Sequence, residues 1–292
     1  MSLLQAILLG IVQGLTEFIP ISSTAHLVLA GRVMNLRLTP EQTTASIAVI
    51  QLGTLLAVLV YFADDIWKIC RAFVRDHFVL IRDGRRDQFN RKNEHARLSH
   101  DARLGWLFII GSIPIAVVGL AFKKQIEGTF TKNLWVIATM MIVIAVLLAI
   151  AELVAKQRTR MAELGIKDSL AIGFAQCLAL IPGSSRSGST IMAGLFAGET
   201  RETAARFSFL LSIPAVAASG LLELKEALHK LPQGSLSSLA IGTIVSGIVG
   251  YASIWFLLRY LRTHTTGVFI GYRVIVGATI LLMLFMGRIS AL

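Results

Sequence analysis

Charge is scarce in this chain. Asp, Glu, Lys and Arg make up 15% of its 292 residues, against roughly a quarter in soluble domains, which argues against a water-soluble globular fold. The two cysteines, Cys70 and Cys177, are too few and too unlike in setting for a disulfide framework or a metal site. Residues 1–16 hold no Lys or Arg, so the basic start of a cleavable signal peptide is missing. Apolar residues run continuously rather than in alternation, which argues against a membrane β-barrel. Neither a Walker A pattern nor a zinc-type Cys/His cluster occurs.

What remains is largely oil. The chain is 55% hydrophobic with a mean hydropathy of +0.71, the composition of an integral membrane protein. Charge-free runs cover 42–63, 104–122, 133–151, 207–222 and 231–258, and most reach the ~20 residues that cross a hydrocarbon core as helix. The short run at 207–222 extends into its polar flanks. The expected fold class is therefore an all-α polytopic membrane protein, a single integral membrane domain over 1–292. The net charge of +11 does not point to nucleic acid, because its distribution follows topology. Segment 64–104 holds ten Lys/Arg and seven Asp/Glu and reads as a solvated loop with a short amphipathic helix, cytoplasmic by the positive-inside rule. Threading from it puts 123–132, 223–235 and the C-terminus outside, and 152–168, 199–206 and 259–267 inside. Eighteen Lys/Arg then lie inside and eight outside, with Arg186 and Arg273 left within apolar segments.

Two stretches resemble each other. Residues 10–31 read GIVQGLTEFIPISSTAHLVLAG and residues 173–194 read GFAQCLALIPGSSRSGSTIMAG. Each has a Gly, a Gln, an apolar run, Ile-Pro, Ser-Ser and a second apolar run ending Ala-Gly, with one residue fewer before the second proline. Proline breaks each segment, and the serines that follow favour capping a new helix. Each copy reads as a re-entrant helix hairpin, followed by three crossings at 42–63, 104–122 and 133–153, then at 203–222, 236–258 and 268–287. Three crossings invert the second copy relative to the first. The chain thus divides into repeat one, 1–153, containing loop 64–104, and repeat two, 167–292. Inverted repeats with broken helices bring their tips together near the midplane, where the two Ser-Ser turns are expected to meet.

The turns carry the chemistry. Glu17 lies one helical turn after Gln13 on the same face, and an ionisable residue inside a membrane is a functional candidate. Carboxylate and amide oxygens suit a hard divalent cation, so Glu17 and Gln13 are the candidate metal ligands. His26 follows Ser23 by three, the arrangement of a hydroxyl nucleophile and its proton partner. In PGSSRSGST, Arg186 sits in the first turn of a helix, where free N–H groups attract an anion and a guanidinium grips phosphate oxygens in pairs. Ser184, Ser185, Ser187 and Ser189 are caps or packing residues, with Ser185 the candidate phosphate ligand. Together these parts suit metal-assisted phosphoryl transfer on a lipid. A lipid-phosphate transporter or flippase shares the broken-helix design, but has no need of a Ser–His pair.

QGLTEFIPISSTAH and PGSSRSGSTI, with IQLGTLLAV and FSFLLSIPA, resemble the bacterial undecaprenyl-diphosphatase family, associated with bacitracin resistance. The resemblance covers nearly the whole chain. It implies hydrolysis of undecaprenyl diphosphate to undecaprenyl phosphate and inorganic phosphate, recycling the carrier for peptidoglycan synthesis. It also implies a multi-pass protein of the bacterial inner membrane with its site facing the periplasm, a divalent cation (Mg2+ or Ca2+), and a polyprenyl diphosphate substrate among membrane lipids. A homodimer is a further expectation. By position, the family's acidic motif falls on Gln13 and Glu17, where many members carry Glu at the first. Its Ser/Thr/His motif falls on Ser22, Ser23, Thr24 and His26, and its arginine on Arg186 beside Ser184 and Ser185. The motif leaves Ser23 or His26 as the attacking group; we favour Ser23 with His26 as its proton partner.

Overall fold

The computed structural model describes every residue except 37–38, 85–97, 123–132, 231–232 and 292. The expected external segment 123–132, and the middles of 64–104 and 223–235, lie outside the described residues. Eleven α-helices carry the fold among the described residues: α1 (Leu3–Phe18), α2 (Ser23–Val33), α3 (Pro40–Tyr61), α4 (Ala63–Gly84), α5 (His100–Ala121), α6 (Leu134–Val154), α7 (Ile166–Gln176), α8 (Arg186–Phe196), α9 (Arg201–Lys230), α10 (Gln233–Leu261) and α11 (Gly267–Phe285). Among the described residues, six helices are long and apolar enough to cross a membrane, all but α4 of the longer ones.

The breaks fall where the prolines require them. Ile19 caps the end of α1, Pro20 follows it, and the helix resumes at Ser23. Ahead of Pro182, α7 tightens into a 3-10 turn over Cys177–Leu180, and the helix resumes at Arg186. The first pair folds back on itself: Gln5 Nε2 at the start of α1 donates to Met34 O beyond the end of α2 at 3.2 Å. In the second pair, Leu164 ahead of α7 shares a hydrophobic cluster with Ala193 near the end of α8.

The halves exchange elements through glycine. A methyl on Gly10 of α1 would lie 2.4 Å from the carbonyl oxygen of Gly242 on α10, and one on Gly173 of α7 would lie 2.3 Å from that of Gly111 on α5. Gly10 and Gly173 open the two copies of the repeat, while Gly242 and Gly111 head Gly-Thr and Gly-Ser in the corresponding crossings. Small residues let backbones approach where lipid supplies no hydrophobic drive. The same contact made twice, by matching positions, is what a two-fold relation between the halves produces. It accords with the expected repeats.

One element exceeds expectation. The short helix foreseen in loop 64–104 is a 22-residue helix, α4. Its inner face packs on α5, where Phe73 closes over Gly105, and Trp106 Nε1 donates to His77 Nε2 at 2.9 Å. Its mixed charge concealed that packing face.

Candidate functional site

The site forms where the two breaks converge. Gln13 and Glu17 share one face of α1, and Gln13 Nε2 donates to Glu17 Oε2 at 2.9 Å. Gln51 Nε2 of α3 donates to Glu17 Oε1 at 3.3 Å, and Arg186 Nη2 of α8 reaches the same oxygen at 3.2 Å. Glu17 is 7% exposed, so the carboxylate is buried but receives donors from three helices. Phe18 stacks edge-to-face on Phe209 with ring centroids 5.2 Å apart, which fixes the end of α1 against α9. Arg186 Nη1 donates to Ser208 O on that same helix at 3.3 Å. Arg186 Nε is buried with no acceptor among the described residues. The guanidinium therefore has hydrogen-bonding capacity left for an anion.

Both turns carry the same unusual backbone. Ser22 caps α2 with φ 78° and ψ 96°, its Oγ accepting from the Ala25 N–H. Ser185 caps α8 with φ 70° and ψ 117°, its Oγ accepting from the Gly188 N–H. Such left-handed φ values cost L-residues on the order of 1–3 kcal/mol each and cluster at functional sites. The caps also correct the repeat register. Ser22 and Ser185 each stand twelve residues after Gly10 and Gly173, so the ungapped alignment matches the turns despite the displaced proline. In that register Arg186 takes the place of Ser23, and Ser189 that of His26.

A residue from the last helix binds the turns together. Arg273 of α11 is fully buried, and its guanidinium donates to Pro20 O at 3.2 Å, to Gly183 O and Ser184 O at 3.0 Å each, to Met141 O at 3.1 Å and to Met140 O at 3.4 Å. Three of those carbonyls belong to the two breaks. Ser187 Oγ adds a bond from the second turn to Ile19 O of the first at 3.4 Å. Gly183 is the tight point, with φ +89° and space for a methyl only 2.2 Å from Ile137 O. The Ser-Ser turns do meet.

His26 is placed differently from expectation. No hydrogen bond joins it to Ser23, although both lie in the first turn of α2. Instead Nδ1 bonds Ser22 O at 2.7 Å and Nε2 bonds the Tyr272 hydroxyl at 2.7 Å, with the two rings nearly parallel at 13°. A carbonyl only accepts, so Nδ1 carries a proton; in the neutral form of the ring Nε2 then accepts the phenol O–H. At a helix N-terminus the i−4 carbonyl of the cap is nearer to the imidazole than a hydroxyl three residues back. Ser23 is half-buried and Thr24 exposed, whereas the Ser184 hydroxyl is buried without a partner among the described residues. Ser185 Oγ lies 3.2 Å from Ser187 Oγ.

Sequence reasoning overlooked Tyr272, Gln51 and the clamping role of Arg273. Arg273 had a signal, as a charge inside an apolar run, and Gln51 is an amide in an otherwise oily crossing. Tyr272 had none. For a divalent cation, Glu17 with the amide oxygens of Gln13 and Gln51 gives oxygen ligands of the right class. Among the described residues no group of three or more His, Cys, Asp or Glu adds to them, so substrate oxygens or water would complete the six or more that a hard ion takes. The donor set fits a cation held jointly with a phosphate-bearing ligand.

Residues 6–279 match the family of bacitracin resistance protein BacA. The chain is similar to the undecaprenyl-diphosphatase of Syntrophobacter fumaroxidans, at 52% identity over 287 residues and 98% of each chain. It is likewise similar to the undecaprenyl-diphosphatases of Chloroherpeton thalassium, at 46% over 300 residues, and Mycolicibacterium gilvum, at 45% over 295, each across the full length of both chains.

Proposed function

The chain belongs to the BacA family of bacitracin resistance proteins, and from that premise we propose that the junction of the two broken hairpins is where it acts as an undecaprenyl-diphosphatase. It hydrolyses undecaprenyl diphosphate to undecaprenyl phosphate and inorganic phosphate, the activity for which its relatives are named. The observation that carries the site assignment is the Glu17–Arg186 pair, 3.2 Å apart and joining one repeat to the other.

Arg186 and the N-terminus of α8 hold the diphosphate, with Ser185 and Ser184 at the cap and Ser22 and Thr24 lining the facing turn. Ser23 Oγ attacks the terminal phosphorus, the P–O bond to the lipid monophosphate breaks, and water then cleaves the phosphoserine to release inorganic phosphate. His26 takes the Ser23 proton once a side-chain rotation frees its Nε2 from Tyr272. Glu17 and Gln13 would hold a divalent cation, which would supply charge stabilisation to the phosphate oxygens. Glu17 is the only carboxylate in that set, and that gives it the central place among the metal ligands.

We assign the site to the periplasmic side. The support is charge: the basic segment 64–104 marks the cytoplasm, so the first hairpin, with Glu17, Ser23 and His26, enters from the opposite face. Its lipid tail enters between helices while the diphosphate lies at the outer headgroup layer. Phosphate release from a polyprenyl diphosphate by the purified protein, with and without chelator, tests the chemistry. Loss of release on chelation and restoration by Mg2+ or Ca2+ is expected. Full turnover after exhaustive chelation overturns the metal assignment.

A further inference from the structure

Helix α4 has three faces of different character. Ile66, Ile69, Phe73 and His77, spaced by three and four residues, point to α5. Trp67, Cys70, Val74, Phe78 and Ile81 recur at the same spacing on a second face and are exposed, Trp67, Val74, Phe78 and Ile81 each to about two-thirds. Beside that apolar stripe run Lys68, Arg71 and Arg75, all exposed. Of the acidic residues, Asp65 binds Arg206 at 2.5 Å, and Asp76 accepts from the Ser99 N–H at 2.8 Å and from Arg75 Nε at 2.8 Å, which leaves the Arg75 Nη groups to the edge; Asp64 is exposed one turn before Lys68. A basic edge thus borders the apolar face along two turns.

A cavity of about 300 Å³ opens onto the same stripe. Ile66, Cys70, Phe73, Phe108, Leu210 and Pro214 line it, on α4, α5 and α9. Its volume falls at the lower end of the range of ligand sites, about 300–1,000 Å³, and its walls offer an occupant almost no polar group.

We infer that α4 and this cavity form a binding site for one anionic phospholipid. The phosphate of the lipid meets Lys68, Arg71 and Arg75, one acyl chain enters the cavity past Cys70, and the stripe from Trp67 to Ile81 lies among neighbouring chains. The charge pattern selects this occupant. An apolar chain alone would need no basic edge, and a soluble anion would need no apolar cavity. Amphipathic helices with basic borders bind membranes in this way, by apolar burial plus attraction to acidic headgroups.

The full-length protein is tested in phosphatidylcholine nanodiscs, after Trp135→Phe and Trp255→Phe leave Trp67 and Trp106 as reporters. Brominated phosphatidylglycerol, at about one-fifth of the lipid, is expected to quench them about fivefold more effectively than brominated phosphatidylcholine. Lys68→Gln/Arg71→Gln/Arg75→Gln is expected to abolish the preference while phosphate release in detergent and melting temperature are retained. Arg71→Gln alone is expected to weaken it, which keeps the test valid if the triple variant does not fold. Cys70→Phe, which obstructs the cavity mouth, is expected to reduce quenching by either lipid. Equal quenching by both lipids overturns the proposal, as does a preference that survives the Gln variants. Displacement of the brominated lipid by added polyprenyl diphosphate also overturns it, by assigning the cavity to the substrate tail.

Discussion

Arg186 and Glu17, 169 residues apart in sequence, meet at 3.2 Å with side chains only 11% and 6% exposed. Two charges removed from water cost several kcal/mol each, and their attraction offsets this only with good geometry and further hydrogen bonds. Gln13, Gln51 and Ser208 O provide those bonds. Glu17 is therefore satisfied at rest, whereas Arg186 Nε still lacks an acceptor, so a diphosphate can be added to the guanidinium while the pair stays in place.

Arg186→Lys is expected to lower kcat/KM by about 100-fold or more, the scale of losing one preorganised donor to a developing anion. Lysine keeps the charge but not the planar fork that spans Glu17, Ser208 and an incoming phosphate. Phosphate-release kinetics with a melting curve check this. Near-normal turnover in the lysine variant removes Arg186 from the phosphate site.

Glu17→Gln keeps shape and removes charge. Activity is expected to collapse, with little rescue by excess metal, because an amide replaces the carboxylate that anchors the cation. Gln13→Glu is expected to keep activity and to lower the metal concentration needed for half-maximal rate. Both are read from metal titrations of phosphate release.

Tyr272→Phe deletes the hydroxyl that donates to His26 Nε2 and leaves the ring. The proposed proton transfer needs Nε2 released from that hydroxyl, so kcat is expected to hold or rise, with little change in KM. A fall in kcat would make the Tyr272 hydroxyl part of the chemistry. A change in KM alone would instead place Tyr272 against the substrate.

These three positions differ in how far the sequence disclosed them. Glu17 and Arg186 stood out as charges in apolar segments, and the repeat brought their turns together. The sequence reading gave Glu17 to a cation and Arg186 to a phosphate, and their direct contact is what the structure adds. The orientation of His26 was not legible, since its partner Tyr272 lies 246 residues away and one turn of helix offered Ser23 as a nearer candidate. Arg273 stood out as a charge, yet its partners are backbone carbonyls, which leave no trace in side-chain patterns. The displaced proline suggested a gap in the repeat, whereas the capping serines show that the turns themselves stay in register. For α4, mixed charge pointed to a solvated loop and hid the stripe that packs on α5.

Glu199 gives a pH-dependent prediction. The residue, between α8 and α9, is fully buried, and neither carboxylate oxygen has a partner among the described residues. Burial pushes its carboxyl up to about 8, with Asp168 nearby adding to the shift. The folded state then holds a proton that the unfolded chain releases near pH 4.5, so stability falls as pH rises from there towards 8 and levels off above. Glu199→Gln removes that dependence. A gain on the order of 1–3 kcal/mol at pH 8 is expected, and a smaller one at pH 5, measured by thermal melting in detergent. An equal effect at both pH values contradicts the raised carboxyl.

Topology is tested with single cysteines at Asn35 and His264, after Cys70 and Cys177 are replaced. Both positions are exposed, one beyond α2 and the other between α10 and α11. A membrane-impermeant thiol reagent on intact cells is expected to label position 35 and spare 264. The opposite pattern turns the whole molecule over and puts phosphate release in the cytoplasm.

The Arg273 clamp also imposes an order on biogenesis. A ribosome delivers the first turn early and the second past mid-chain, but the guanidinium that ties Pro20 to Gly183 and Ser184 arrives only with the final crossing. A nascent chain halted before α11 has both strained serine caps but only the Ser187–Ile19 and Arg186–Glu17 contacts to join them. The helix made late in synthesis thus fastens turns that were shaped long before it.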